Sequence, residues 1–130
     1  MKAGIFSIGL DTYWPQFDGL LDNLNGYHAE IRDRIAGMDI ELIDAGMVDN
    51  VEKASGAAKL FKQQDVEVIF LFISTYALSS TVLPVVQKAK VPVVIMDSGL
   101  QSDKYVSFVA TDNYKGGVLA GEQMAKLLSG

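Results

Sequence analysis

The chain has 130 residues, which fits one compact domain, because domains most often contain about 100–150 residues. It has no cysteine, which excludes disulfides, thiolate metal sites and a cysteine nucleophile. The formal net charge of −5 argues against nucleic acid as a partner, because binding to phosphates requires clustered Lys and Arg. No apolar run reaches the about 20 residues that span a bilayer, so we expect no membrane partner either.

The first residues, MKAGIFSIG, combine one basic residue with an apolar run. The chain then reaches Asp11 without the small-residue pattern of a signal-peptide cleavage site. We interpret this start as a buried strand and expect a cytoplasmic location.

Short apolar runs alternate with longer segments of helical period. Most runs are continuous, as expected for parallel strands that are covered on both faces. They are Ala3–Ile8, Ile40–Ile43, Val66–Ile73, Val91–Met96 and Val106–Ala110. This alternation predicts a single α/β domain over residues 1–130 with three layers (αβα). Its centre is a doubly wound, parallel, five-stranded sheet in the order 2-1-3-4-5, the flavodoxin-like or Rossmann-like arrangement.

Four helices are expected between and after these strands. The first starts near Pro15 and is capped by Gly37, and the second begins after Asp49 or Asn50. The third follows Ser79–Thr81, and the last follows Thr111–Asn113. The residues predicted to face inward are Phe17, Leu20, Leu21, Leu24, Tyr27, Ile31 and Ile35; then Val51, Ala54, Ala58 and Phe61; then Val82, Val85, Val86 and Ala89; and finally Leu119, Ala120, Met124 and Leu127.

The link Ser98–Tyr105 is polar and too short for a full crossover helix. In extended form it could still span about 26 Å, enough to run back along a short strand. We therefore predict a parallel fifth strand, with an antiparallel edge strand as the alternative. Gly116, Gly117 and Gly121 would let the last helix lie close against the sheet.

Ligands bind such sheets at the carboxyl ends of the strands, where the strand order reverses. The loops at that point are Gly9–Trp14 and Ser74–Thr81, rich in hydroxyl groups and aromatic rings. They predict a small polar pocket for a sugar or an anion. The alternative, and the commoner role of Ser, Thr and Asp in such loops, is capping of helices.

Other site types find little support in the sequence. No GxGxxG or P-loop pattern is present, and neither a flavin phosphate loop nor a phosphoryl-receiver acidic cluster can be recognised, so no cofactor is expected. His28 is the only histidine and is interpreted as structural, because no nucleophile lies near it in sequence. Nothing pairs Glu41, Asp44 and Asp49 as acid and base. We therefore predict no catalytic residues and no metal site.

Two resemblances divide the chain. The segments IGLDTYWPQFDGLLDNLNGY, IDAGMVDNVEKA and IFLFISTYALSSTVLPVVQKAKVPVVIM make residues 1–96 similar to the N-terminal domain of arabinose and fucose isomerase-type sugar isomerases. That resemblance implies a Rossmann-like domain whose metal ligands and acid/base residues lie in later domains. It also implies substrate contacts in Asp11, Thr12, Tyr13 and Trp14, and in Ser74, Thr75 and Tyr76.

Residues 97–130 resemble the N-terminal lobe of ribose-type periplasmic sugar-binding proteins. The resemblance is carried by the segment DSGLQSDKYVSFVATDNYKGGVLAGEQMAKLL. That resemblance implies sugar contact by Asp97, although this chain has Ser98 where the family often has Arg.

The change at Met96–Asp97 leads to the hypothesis of an engineered chimeric scaffold without native catalytic activity. The alternatives are a weak sugar- or anion-binding half-site and an inactive isomerase fragment. A monomer is favoured, with a homodimer through an edge strand as the alternative.

Overall fold

Five parallel strands form one sheet in the order β2-β1-β3-β4-β5, as the sequence predicts. The computed structural model describes residues 1–76, 78–98 and 105–128. The strands are β1 (Lys2–Ile8), β2 (Glu41–Val48), β3 (Val68–Ile73), β4 (Val93–Met96) and β5 (Ser107–Val109). The fifth strand is parallel to β4, so the antiparallel alternative was wrong. Most of the connector before it, residues 99–104, lies outside the described residues.

Four α-helices accompany the sheet: α1 (Leu20–Ala36), α2 (Val51–Gln63), α3 (Ser79–Ala89) and α4 (Asn113–Leu128). None of these helices is both long and apolar enough to cross a membrane, over the ranges that the structure describes. Asn50 caps α2, since its side-chain oxygen accepts a hydrogen bond from the Lys53 N–H at 2.9 Å. Gly37 caps the C-terminus of α1 as predicted.

Helices α1 and α2 lie on opposite faces of the sheet. Phe6 contacts Phe61 of α2 with ring centroids 6.0 Å apart, while the neighbouring Ser7 contacts His28 of α1. Successive strand residues point to opposite faces, so these two contacts assign the two helices to different layers. Helix α3 packs beside α2. The main core lies under α2 and α3 and includes Phe6, Ile8, Phe61, Ile69, Leu71, Val85 and Ile95.

The inward faces of α1 and α2 differ from the prediction at several residues. Phe17 precedes α1 and is 54% exposed, and Tyr27 is also exposed, whereas the adjacent His28 is buried. The polar ring takes the sheet-facing position because Ser7 and Asp44 provide hydrogen-bond partners for it there. Val51 is exposed because it lies in the first turn of α2, whereas Ala54, Ala58 and Phe61 are buried as predicted.

Helix α4 is the main correction to the predicted fold. Every residue of this helix is exposed, including the four that were expected to be buried, Leu119, Ala120, Met124 and Leu127. Strand pairing places β5 on the sheet, but the helix that follows it is not buried against the sheet. The helix pattern of residues 113–128 was therefore predicted correctly, and its packing was not.

Candidate functional site

The carboxyl ends of β1, β3 and β4 lie side by side at one edge of the sheet. The loops that follow these strands carry all of the sequence-predicted ligand-binding residues. A loop after β1 forms a short 3₁₀ turn, Asp11–Tyr13, in which Asp11 and Thr12 are exposed and Tyr13 is half-buried. The fold therefore brings the predicted residues to a common edge, which is where this class of sheet binds ligands.

Trp14 closes one side of this edge. Its indole lies so close to Gly9 that a Cβ added there would be 2.6 Å from the ring. Its Nε1–H and the Lys53 ammonium both donate to Asp49 Oδ2 at 2.9 Å. The ammonium also lies 2.8 Å from Asp49 Oδ1, which accepts no hydrogen bond from the described residues. Asp49 is only 4% exposed, so its charge needs such partners. The group holds the loop after β1 against the end of β2.

Polar groups after β3 and β4 complete the edge. Ser74 donates from its hydroxyl to the Ile8 carbonyl at 2.6 Å, tying the end of β3 to that of β1. Thr75 Oγ1 is buried and has no hydrogen-bond partner among the described residues. Tyr76 is 66% exposed, and Asp97 is exposed as well. Asp97 has a left-handed φ of 82° and accepts a hydrogen bond from the Ser98 hydroxyl.

The capping alternative holds for other residues at this edge. Asn50 and Asp112 accept hydrogen bonds from backbone N–H groups at the starts of α2 and α4. The Thr81 hydroxyl instead donates to the Leu78 carbonyl, and α3 begins after Leu78 without a side-chain cap. None of the eight predicted contact residues caps a described helix through its side chain. Their polar groups remain available at the edge or bond the strand ends together.

A buried hydrogen-bond network lies elsewhere, between α1 and the sheet, and the sequence analysis missed it. Ser7 Oγ is 2.5 Å from His28 Nδ1, and His28 Nε2 is 2.9 Å from Asp44 Oδ1. A carboxylate can only accept, so Nε2 donates to Asp44; when the ring carries that single proton, Nδ1 accepts from the Ser7 hydroxyl. The sequence around His28 contains no hydroxyl partner for it, and the fold supplies one because β1 brings Ser7 to the ring.

Asp44 owes its position to a bulge in β2. The pairing with β1 shifts between Ile5 and Ser7, and Gly46 adopts a φ of 66° that suits glycine. Asp44 Oδ1 also accepts from the Gly46 N–H at 2.7 Å. Burial raises the pKa of Asp44, but the hydrogen bonds from His28 and Gly46 and the nearby Arg32 guanidinium outweigh it and lower that pKa overall.

These three residues have the composition of a hydrolase triad without its accessibility. Ser7 is 0% exposed and His28 only 5% exposed. A nucleophilic hydroxyl must reach a substrate carbonyl, and here no surface of the hydroxyl meets solvent. The network therefore holds α1 on the sheet. Among the residues that the structure describes, no group of His, Asp or Glu side chains could hold a metal ion.

Comparison with solved structures finds one protein solved with a sugar and two that are described as sugar-binding. A Mycobacterium smegmatis protein in complex with β-D-fucofuranose matches with a TM-score of 0.60 and 22% identity over 99% of this chain. A sugar-binding protein of a Bacillus halodurans sugar ABC transporter matches at 0.58 and 18% over 98%. The fructose-binding periplasmic domain of a hybrid two-component system matches at 0.54 and 21% over 98%.

The chain spans only 40%, 41% and 40% of those three proteins. No protein-family model matches the sequence, and neither does any curated protein. The TM-scores of these three matches establish a shared fold, and at identities this low they establish the fold alone. This chain is therefore an α/β domain with the flavodoxin-like strand order, similar in fold to part of sugar-binding proteins.

Proposed function

We propose that this domain is a sugar-binding half-site, with the ligand at the carboxyl edge of the sheet. Asp11, Thr12 and Tyr76 are exposed there, and Asp97 presents a carboxylate at the neighbouring strand end. Carboxylates and hydroxyls are suited to the hydroxyl groups of a sugar. The three similar structures come from proteins described as sugar-binding or solved with a sugar, which supports this ligand class.

One observation carries the proposal. The predicted polar side chains at this edge do not cap described helices, and Thr75 Oγ1 is buried without a partner among the described residues. A buried hydroxyl without a partner costs free energy, and a ligand hydroxyl could satisfy it once the loop after β3 shifts to open Thr75 Oγ1. We expect millimolar affinity, because a half-site lacks the opposing contacts that supply much of the binding energy.

Titration with pentoses and hexoses tests this, followed by amide NMR shifts. We expect shifts confined to Asp11–Trp14, Ser74–Tyr76 and Asp97, and a loss of those shifts in Asp97→Asn. Glu30→Gln is the matched control, because Glu30 is an exposed carboxylate on α1, away from this edge. No saturating shifts with any sugar, or equal shifts in Asp97→Asn and the wild-type chain, would reject the sugar site.

An engineered chimeric scaffold without native activity stays a second hypothesis. It is supported by the change in sequence resemblance between Met96 and Asp97, within the short connection from β4 to β5. A natural genome that encodes this whole chain as one gene would contradict it. The isomerase-fragment alternative predicts turnover of an aldose only together with further domains.

A further inference from the structure

One face of the sheet is covered over only part of its width. Ile5 and Ser7 of β1 are buried beneath α1. Their register partners on β3, and the residues paired with those on β4, lie on the same face of the sheet but are only partly buried. Together with Val109 of β5, which is 59% exposed, they form an apolar surface that we call the open face: Phe70, Phe72, Val94, Met96 and Val109.

The other side of the same strands shows what full cover looks like. Ile69, Leu71, Val93 and Ile95 alternate with the open-face residues and are all buried under α2 and α3. A parallel sheet normally has helices on both faces. The open face is therefore a surface built for a helix, and no described helix of the same copy buries it.

Helix α4 has a complementary surface. At about 100° per residue, Gly117, Val118, Gly121, Met124 and Leu128 fall on one broad side, which we call the apolar side of α4. The charged residues Lys115, Glu122 and Lys126 lie together on the opposite side. Met124 is 58% exposed and Leu128 is 80% exposed, and a Cβ added at Gly117 or Gly121 would meet nothing within 4 Å.

The residues of the two surfaces are also suited to close packing. Glycines at the centre of the apolar side would allow close approach to a sheet, while the open face supplies two phenylalanines and a methionine. We propose that α4 of one copy covers the open face of a second copy, and that the exchange is reciprocal. The result is a two-fold symmetric dimer in which each copy supplies the helix that its partner's sheet lacks.

A second copy fits better than the chain's own helix because α4 is not buried on its own sheet. Every residue of α4 is exposed while the open face is only partly buried, so the apolar side of α4 and part of the open face are free at the same time. Both surfaces are then ready for exchange without rearrangement. Two helices, each about 24 Å long and about 10 Å wide, would bury on the order of 1,000 Å², near the lower end of stable interfaces.

Sedimentation velocity over a concentration series tests this proposal. We expect the wild-type chain to dimerise and Met124→Glu to weaken association by about tenfold or more, because it places a charge on the buried side of the helix. Leu119→Glu is the matched control: Leu119 is 57% exposed, almost the same as Met124, but lies beside Lys126 on the charged side. A monomer at all concentrations, or equal effects of the two variants, would overturn the proposal.

A disulfide experiment distinguishes exchange from closure within one chain, and it is clean because the chain has no cysteine of its own. Val94→Cys and Gly121→Cys are made in separate chains, mixed and oxidised. A disulfide-linked pair in the mixture supports exchange. A double variant that forms its disulfide within one chain and stays monomeric would show that α4 closes on its own sheet. If the wild-type chain is monomeric and the cysteine variants form neither disulfide, the open face has a different partner. This result and closure within one chain both reject exchange.

Discussion

His28 shows how a single residue can be correctly classified and still be misunderstood. Its assignment as structural agrees with its burial, but the reason given, that no nucleophile lies near it in sequence, did not exclude a partner from a distant strand. Its spacing from Leu24, four residues earlier, and from Ile35, seven later, already put it on the sheet-facing side of α1. Identifying Ser7 as its partner required the packing of α1 on β1, which brings together residues 21 apart in sequence.

The lowered pKa of Asp44 makes stability depend on pH. Its folded-state value lies below the ordinary 3.8, so its contribution is present above that pH and is lost as the pH falls through the folded value. We expect Asp44→Asn to be less stable than the wild-type chain at neutral pH, with the difference shrinking below about pH 4. Urea unfolding at a series of pH values measures this.

The control for that experiment is Asp18→Asn, which neutralises an exposed carboxylate outside the network. We expect it to leave the stability close to wild type over the whole pH range. If Asp44→Asn kept the full acid dependence of the wild-type chain, Asp44 would not be the group responsible.

At the scale of elements, α4 separates helix formation from helix packing. Its apolar spacing and the Asp112 cap predict a helix, and the structure contains one. The same spacing was taken to mean burial against the sheet, and that was wrong. An amphipathic pattern shows only that one side of a helix favours an apolar surface, and it does not specify which molecule provides that surface.

The difference between forming α4 and packing it on the sheet gives a prediction for Leu127→Ala. Leu127 is 70% exposed, so at concentrations where the chain is monomeric we expect a change below about 0.5 kcal/mol in the free energy of unfolding. Phe61→Ala is the comparison: Phe61 is fully buried against Gly4 and Phe6 and should cost about 3–5 kcal/mol. Urea denaturation measures both. A loss of several kcal/mol for Leu127→Ala at high dilution would show that α4 is docked on its own sheet.

For the whole molecule, the strand order follows from the alternation of elements, and the sequence predicted it without contacts. The predicted edge for ligand binding also follows from that order, since parallel strands all end on one side. What could not be predicted is which polar groups there are already occupied. Asp49 is paired with Lys53 and Trp14, whereas Thr75 Oγ1 has no partner among the described residues.

Uneven burial predicts uneven local stability. We expect amide hydrogens of β1, β3 and α2 to exchange slowest, because these elements contain the buried core, and those of α4 to exchange fastest among the helices. Hydrogen exchange followed by mass spectrometry at high dilution measures this. Protection of α4 should rise with protein concentration if copies exchange the helix. Protection equal to that of β1 at high dilution would contradict the exposed position of α4.

The sequence by itself determined the elements, the parallel sheet and its order, because these depend on local apolar patterns and short connections that can be read along the chain. Tertiary structure alone decided three things: the partner of His28, the state of each polar group at the carboxyl edge, and the exposure of α4. Each of these depends on which distant surfaces meet. The residues next to it in sequence do not indicate which distant surface a residue will contact, since the free energy of burial comes from contacts made only after the layers assemble.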